Sequence, residues 1–109
     1  MKKDLAFRRI KVEYVGYANE RLILKARCKV QKQLFEEEMF VDKGELSFLY
    51  EGSKMMDLLF CGEITVRLGR AYIAWVKDQG NRWCRNLGLP EITKLKIDER
   101  LLEYGLMAF

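Results

Sequence analysis

The sequence predicts a single α+β domain, residues 1–109, built mainly from an antiparallel sheet: an N-terminal four-stranded meander with one to three short helices. Residues 9–30 alternate between apolar and polar side chains with the period of two that half-buried strands show. Residues 42–44, Asp-Lys-Gly, have the composition of a hairpin turn. The chain holds one proline and no Gly/Ser-rich linker, and two domains of half this length would each be too small to hold a core.

The first two strands follow from this alternation. Ile10, Val12 and Tyr14 are separated by charged residues, and residues 16–19 predict a turn. Along the second strand every other residue is apolar and is expected to face inward: Leu22, Leu24, Ala26, Cys28 and Val30. The two strands therefore form an antiparallel hairpin with one apolar face.

Two further strands complete the predicted meander. Residues 34–41 fit either a third strand or a short helix. The strand is favoured because residues 41–45 resemble a hairpin loop, in which Gly44 supplies the positive φ that such a loop needs. Alternating apolar residues at 46–50 then predict the fourth strand.

The helices are predicted in the second half of the chain. Ser53 is a candidate N-cap for a short helix that ends at Gly62. Residues 92–97 predict an edge strand, and Asp98 is a candidate cap for a C-terminal helix that ends near Gly105.

Residues 63–77 have two interpretations. Their apolar positions match a helical stripe, but the composition is β-prone and Gly69 would lie in mid-helix. We interpret the segment as a pair of strands that turns near Gly69. Residues 78–81, Asp-Gln-Gly-Asn, are expected to form a turn with either interpretation.

Charge is sorted along the chain into blocks. Residues 1–32 carry ten Lys/Arg and three Asp/Glu, whereas residues 36–63 carry two Lys and eight acids. Residues 67–85 return to five basic groups and one acid. Net charge governs association more than fold, so this asymmetry favours an anionic partner.

The outward face of the first two strands is predicted to carry five basic residues: Arg9, Lys11, Lys25, Arg27 and Lys29. Such a row can follow a phosphate backbone, although a solvated sheet face is the simpler explanation. The turns expected at 16–19 and 32–33 set the cross-strand partners of these residues. The predicted pairs are Glu13–Arg21, Arg9–Lys25, Lys29–Glu36 and Arg27–Glu38. The last two would neutralise part of the row within the fold.

The same alternation turns Glu37 inward, near Cys28. A buried carboxylate is costly unless it is protonated or paired, so either Glu37 has a partner or the predicted register is wrong. We favour an error in register. A catalytic acid is the alternative.

The segment 67–85 interleaves cations with aromatic residues: Arg67, Arg70, Lys77, Arg82 and Arg85 with Tyr72, Trp75 and Trp83. Positive charge beside flat aromatic surface suits single-stranded nucleic acid, and the same residue types dominate protein–protein hot spots. We expect Tyr72 and Trp75 to be core residues. Trp83, just after the predicted turn in a loop-like segment, is either an exposed binding residue or part of the core.

The residue types needed for common catalytic chemistry are sparse. Histidine is absent, and the three cysteines lack both C-x-x-C spacing and a histidine partner. We therefore predict a protein that is not an enzyme and that holds no metal or cofactor. The odd number of cysteines, the charged first residues and the short apolar run at 71–76 favour a cytoplasmic protein without membrane contact.

Together these patterns predict a small non-catalytic binding module for nucleic acid or a nucleic-acid-associated complex. The expected binding residues are Arg9, Lys11, Lys25, Arg67, Arg70, Arg82, Trp83 and Arg85. The alternative is a protein-binding inhibitor or adaptor, for example a phage or mobile-element antagonist of a host complex, that uses the acidic block 36–63. The apolar residues 106–109 either pack back on the domain or join a second copy in a homodimer.

Overall fold

The computed structural model of the protein describes residues 7–30, 33–48, 57–59 and 61–96. It contains a five-stranded sheet in the order β1-β2-β3-β4-β5 and one long helix. The elements are β1 (Phe7–Ala18), β2 (Arg21–Val30), β3 (Gln33–Asp42), β4 (Glu45–Phe48), α1 (Val66–Asn86) and β5 (Lys94–Lys96). The first four strands form an antiparallel meander, so the predicted α+β class is confirmed.

The turn between β1 and β2 lies later than the sequence predicts. Asn19 and Glu20 form it, with φ angles of 53° and 62°, and β1 continues through Gly16 to Ala18. Two residues with positive φ match the right-handed twist of a two-residue hairpin. The predicted pairs Glu13–Arg21 and Arg9–Lys25 are therefore wrong.

In the observed register of the first hairpin, Glu13 lies opposite Lys25 and Lys11 opposite Arg27. The register shifts between Arg8 and Lys11, and again between Tyr14 and Gly16. Such bulges change the partner of a residue without moving the neighbouring stretch off its face. As predicted, every other residue of β2 is buried from Leu22 to Cys28.

The register of β2 and β3 is two residues away from the predicted one. Val30 pairs with Gln33, Arg27 pairs with Glu36 and Lys25 pairs with Glu38. Because side chains alternate with a period of two, a slip of two residues changes the partners but leaves each side chain on its predicted face. The third strand and the hairpin at Lys43-Gly44 are both confirmed, and Gly44 has the expected positive φ of 84°.

Residues 63–77 are not a pair of strands, and residues 78–81 are not a turn. Both segments belong largely to α1, a helix of 21 residues. The Thr65 side chain caps its N terminus by accepting a hydrogen bond from the Leu68 amide. At its C terminus Gly88 has φ 69°, and the Leu89 amide donates to the Cys84 carbonyl. The Gly88 amide also donates to the Arg85 carbonyl, and together the two hydrogen bonds form a Schellman motif, which ends a helix at a glycine.

The segments flanking α1 agree with the predictions in part. Residues 57–59 form a helical turn that ends at Gly62, with φ 71°, as the sequence predicts. β5 pairs in parallel with β4, and α1 is the connection between them. The proposed cap at Ser53, residues 49–50 of the fourth strand, the C-terminal helix at 98–105 and the tail 106–109 lie outside the described residues.

The core lies between one face of the sheet and α1. The helix buries Tyr72, Ile73, Val76 and Cys84 against residues of β1 and β2. This gives a two-layer arrangement in which the other sheet face carries the charged residues. Within the described part of the chain, no helix has the length and apolar character to cross a membrane.

Candidate functional site: the outer face of α1 and the cleft beside β1

The side of α1 that faces away from the sheet is strongly basic. Charged and small residues recur there at intervals of three or four residues, the spacing of one helical face: Arg67, Arg70, Ala74, Asp78, Arg82 and Arg85. All six are exposed. Asp78 is the only acid in the helix, and Lys77 brings the number of cations to five. We call the surface formed by the six exposed residues the basic face.

Two ion pairs of the basic face are formed between exposed side chains. Arg82 lies 3.8 Å from Asp78, and Arg85 lies 2.7 Å from Glu91. Exposed pairs of this kind contribute about 0.2–1 kcal/mol and are easily exchanged for other partners. Arg67 lies in the first turn, which contains no acid, and Arg70 follows at the start of the second turn; the helix dipole disfavours cations at this end of the helix. These charges are therefore not placed where they would stabilise α1.

Two tryptophans of α1 form hydrogen bonds to the edge strand β1. The Trp75 indole N–H donates to the Ile10 carbonyl at 2.8 Å, and the Trp83 indole N–H donates to the Val12 carbonyl at 3.0 Å. The acceptors are alternate residues of β1, which lies at the edge of the sheet formed by the described strands. The indoles therefore cover edge carbonyls that would otherwise be open to pairing.

The surroundings of these tryptophans differ from the sequence prediction. Trp75 is 46% exposed, so its assignment to the core is wrong. Trp83 lies inside the helix and not in a loop; it is half-buried and packs on the core. Its ring centroid lies 5.7 Å from that of Tyr14, which is itself exposed. Tyr72 is fully buried, as predicted.

An open cleft of about 350 Å³ lies between β1 and the C-terminal half of α1. Its lining combines cations, amides and one indole: Lys11, Val12, Glu13, Gln79, Arg82, Trp83 and Asn86. The helical positions 79, 82, 83 and 86 share one side of α1, which is why one edge strand meets all four. The cleft adjoins the basic face through Arg82.

The open face of the sheet is charged but largely paired within the fold. Arg27 lies 2.7 Å from Glu36 and 3.4 Å from Glu13, and Lys25 lies 3.6 Å from Glu38. The hydrogen bond and the charge of Glu36 raise the pKa of the Arg27 guanidinium. The partial neutralisation expected from the sequence is thus present, with partners shifted by two residues.

The structure brings together three of the residues predicted to bind a partner and separates the others. Lys11, Arg82 and Trp83 line the cleft. Arg67, Arg70 and Arg85 lie on the basic face. Lys25 lies on the open sheet face, across the sheet from α1, and Arg9 belongs to β1 with its side chain outside the described part of the structure.

Glu37 faces inward, as alternation predicts. The predicted register is wrong by two residues, but a slip of two keeps each side chain on its face, so the register error does not explain the buried carboxylate. The Glu37 side chain is only 6% exposed, and the Tyr72 hydroxyl donates to Glu37 Oε1 at 3.0 Å. Burial and the Glu37 charge raise the pKa of Tyr72 and raise that of the Cys28 thiol to about 12. Because α1 covers this carboxylate, the arrangement supports a structural role in joining helix to sheet.

Among the cleft residues that the sequence did not predict are its two amides, Gln79 and Asn86. They were missed because residues 78–81 were interpreted as a turn, which breaks the helical spacing that groups 79 with 83 and 86. The helix boundaries could have been found from Thr65 as an N-cap and from Gly88 followed by Pro90 as a stop.

Among the described residues, no group of three or more Cys, Asp or Glu side chains is placed to hold a metal ion. Comparison of the chain with protein-family models, with curated proteins and with solved structures found no match. The function is therefore inferred from the geometry of this molecule alone.

Proposed function

We propose that the protein is a small non-catalytic module that binds nucleic acid, or a complex containing nucleic acid, through the basic face of α1. The observation that carries this proposal is the presence of four exposed arginines on one helical face with a single acid among them. Arginine pairs well with phosphate because its planar guanidinium offers several donors in a fixed geometry. Each phosphate contact also releases condensed counterions.

The length of the basic face supports a polymeric anion over a small one. From Arg67 to Arg85 the helix rises about 27 Å, at about 1.5 Å per residue. A single phosphate can contact only one part of such a surface. A nucleic-acid backbone carries phosphates at a spacing that allows several contacts along it, and the separate contacts add to the affinity.

The open sheet face gives weaker support. Lys25 and Arg27 already have carboxylate partners, so a phosphate would have to displace Glu36 or Glu38. We therefore assign the main binding surface to α1 and leave Lys25 outside it.

The direct test is a fluorescence-anisotropy titration of labelled single- and double-stranded DNA and RNA at low salt. The proposal predicts binding at micromolar protein or tighter, with an affinity that falls steeply as salt is added. If none of the four nucleic acids binds under these conditions, the proposal is wrong.

A protein partner is the rival outcome. Three acids of the block 36–63, namely Glu36, Glu38 and Asp42, form ion pairs within the sheet, which weakens the case for that block as a docking surface. Pull-down from host lysate before and after nuclease treatment separates the two. Loss of all captured material after nuclease supports nucleic acid, whereas a captured protein that survives nuclease contradicts our proposal.

A further inference from the structure

The cleft beside β1 differs from the basic face in shape and in chemistry. The basic face is a convex helix surface that offers charge alone, whereas the cleft is concave and combines an indole, two amides and two cations. Its volume, about 350 Å³, falls at the lower end of the range for small-molecule sites, about 300–1,000 Å³. It can therefore take a group of defined shape.

We propose that this cleft receives one unpaired base of a single-stranded nucleic acid, an inference that rests on the nucleic-acid binding proposed above. A base held in a duplex presents only its groove edges, since its faces are stacked and its pairing edge is occupied. An unpaired base can place a face on an aromatic ring and its pairing edge on hydrogen-bonding side chains. The cleft offers both kinds of group.

Trp83 supplies the aromatic surface, and its position is fixed before any ligand arrives. The hydrogen bond from its indole N–H to the Val12 carbonyl and its contact with the Tyr14 ring restrain the Trp83 side chain. A side chain that is already ordered loses little entropy on binding, so more of the stacking energy appears as affinity.

Gln79 and Asn86 supply hydrogen bonds to the edge of the base. Each side-chain amide can donate and accept, which suits the mixed donors and acceptors of a pairing edge. They lie seven residues apart, two turns of the helix, on the same side of α1. A base lying against Trp83 is therefore within reach of an amide from either direction along the helix.

Lys11 and Arg82 supply positive charge for the phosphates next to the bound base. Lys11 is exposed on β1 and Arg82 is exposed on α1, so the two come from opposite sides of the cleft. Glu13, the acid of the lining, lies 3.4 Å from Arg27. Through Arg82 the cleft is continuous with the basic face, so one strand can follow the helix and insert a base at its end.

The test measures the affinity of three labelled oligonucleotides by fluorescence anisotropy. They are a thymidine strand of about twelve nucleotides, an abasic strand with the same number of phosphates, and a duplex of the same length. The proposal predicts that the thymidine strand binds at least about fivefold more tightly than the abasic strand, the effect expected from stacking one base. The duplex should resemble the abasic strand.

Two sets of variants locate the effect. Gln79→Ala with Asn86→Ala should weaken binding of the thymidine strand about fivefold and leave the abasic strand unchanged. Lys11→Gln should weaken both strands, whereas Lys29→Gln, the matched loss of an exposed lysine on the neighbouring strand β2, should weaken neither. All these positions are outside the buried core, so the thermal melt of each variant should stay close to that of the wild type.

The outcomes distinguish this inference from the proposed function. Equal affinity for the thymidine and abasic strands overturns the base-binding cleft and leaves the basic face standing. A preference for the thymidine strand that the double amide variant does not reduce places the base elsewhere and also overturns the cleft. If none of the three oligonucleotides binds, the proposed function itself is wrong.

Discussion

Glu37, Tyr72 and Cys28 form a buried polar cluster between α1 and the sheet. Tyr72 belongs to the helix and the other two to β3 and β2, so their contacts link three elements. Phe35 packs edge-on against the Tyr72 ring, with centroids 5.9 Å apart. The hydroxyl-to-carboxylate bond gives the buried charge the partner that it needs. This cluster is expected to make the stability of the fold sensitive to alkaline pH.

The sign of that sensitivity follows from the raised pKa values. The Cys28 thiol has a pKa of about 12 in the fold against an ordinary 9.0, and the pKa of Tyr72 is also raised. The folded protein holds these protons more tightly than the unfolded chain does. For Cys28 the stabilisation is therefore complete below pH 9 and is lost as pH rises towards 12, at up to about 1.4 kcal/mol per pH unit. For Tyr72, whose ordinary pKa is 10.0, the loss begins only above about pH 10.

Urea unfolding between pH 8 and pH 11 measures this loss. Cys28→Ala should make the decline with pH less steep, since one of the titrating groups is then absent. Cys61→Ala, at an exposed cysteine, is the matched control and should show the wild-type slope. A stability that does not change up to pH 11 would contradict the assignment.

Trp83 gives a second prediction at the residue scale. If Trp83 were a freely exposed binding residue, it could be replaced by Ala without loss of stability. In the structure, however, it packs on the core and its indole N–H donates a hydrogen bond to the Val12 carbonyl. We expect Trp83→Ala to lower the unfolding free energy by about 2–4 kcal/mol. Trp83→Phe, which keeps a ring but loses the N–H, should cost about 1–2 kcal/mol. Thermal melts of the two variants measure the difference, and a wild-type melt for Trp83→Ala would show that the packing is unimportant.

At the scale of the element, α1 is the part of the fold that its own sequence predicts least well. Gly69 and Gly80 lie within it, and many of its other residues are β-branched or aromatic. The helix forms because its buried stripe, from Tyr72 to Cys84, covers one face of the sheet. Burial of that stripe is a tertiary effect, and a local propensity scale does not contain it.

The strands are different because alternation of side chains is a local property. The inward residues of β2 and the inward position of Glu37 follow from parity alone, even though the predicted partners are two residues off. Turn positions could not be fixed as well, because Asn19 and Glu20 adopt positive φ without a glycine. The sequence alone therefore predicts which basic residues are candidates for binding, whereas their division between two surfaces, and the cleft itself, depend on the helix.

Gly80 tests how closely α1 approaches the sheet. A Cβ at this position would lie 2.8 Å from Ile92 Cδ1 and 3.5 Å from Leu24 Cδ1, and both of these side chains are buried. Gly80→Ala gains about 1 kcal/mol of helix propensity, but overpacking a closed core costs about 1–3 kcal/mol. We expect a net loss of about 1 kcal/mol.

Thermal denaturation compares this variant with Gly16→Ala, where an added Cβ meets nothing within 4 Å. The Gly16 variant should melt near the wild-type temperature. If Gly80→Ala melts higher than the wild type, the helix lies farther from Ile92 than the structure indicates.

In the molecule as a whole, the charges fall on two surfaces that differ in their balance of acids and bases. On the open sheet face, acids and bases alternate across β1, β2 and β3 and satisfy one another. On α1, the cations outnumber the acids by five to one. A surface with an excess of positive charge raises the rate and affinity of encounter with a polyanion, while a surface with balanced charges does so weakly. We propose that the basic face of α1, and not net charge in general, carries the binding.

The measurement that tests this claim most directly is the salt dependence of oligonucleotide binding in two double variants that lose the same charge. Arg67→Gln with Arg70→Gln removes two cations from α1, and Lys94→Gln with Lys96→Gln removes two exposed cations from β5, at the opposite edge of the sheet from β1. For a single strand, the slope of log K against log salt is negative, and each lost phosphate contact should make it shallower by about 0.7. We expect the negative slope to be shallower by about 1.4 in the α1 variant and unchanged from the wild type in the β5 variant. Equal slopes in the two variants would show that the basic face of α1 does not carry the binding.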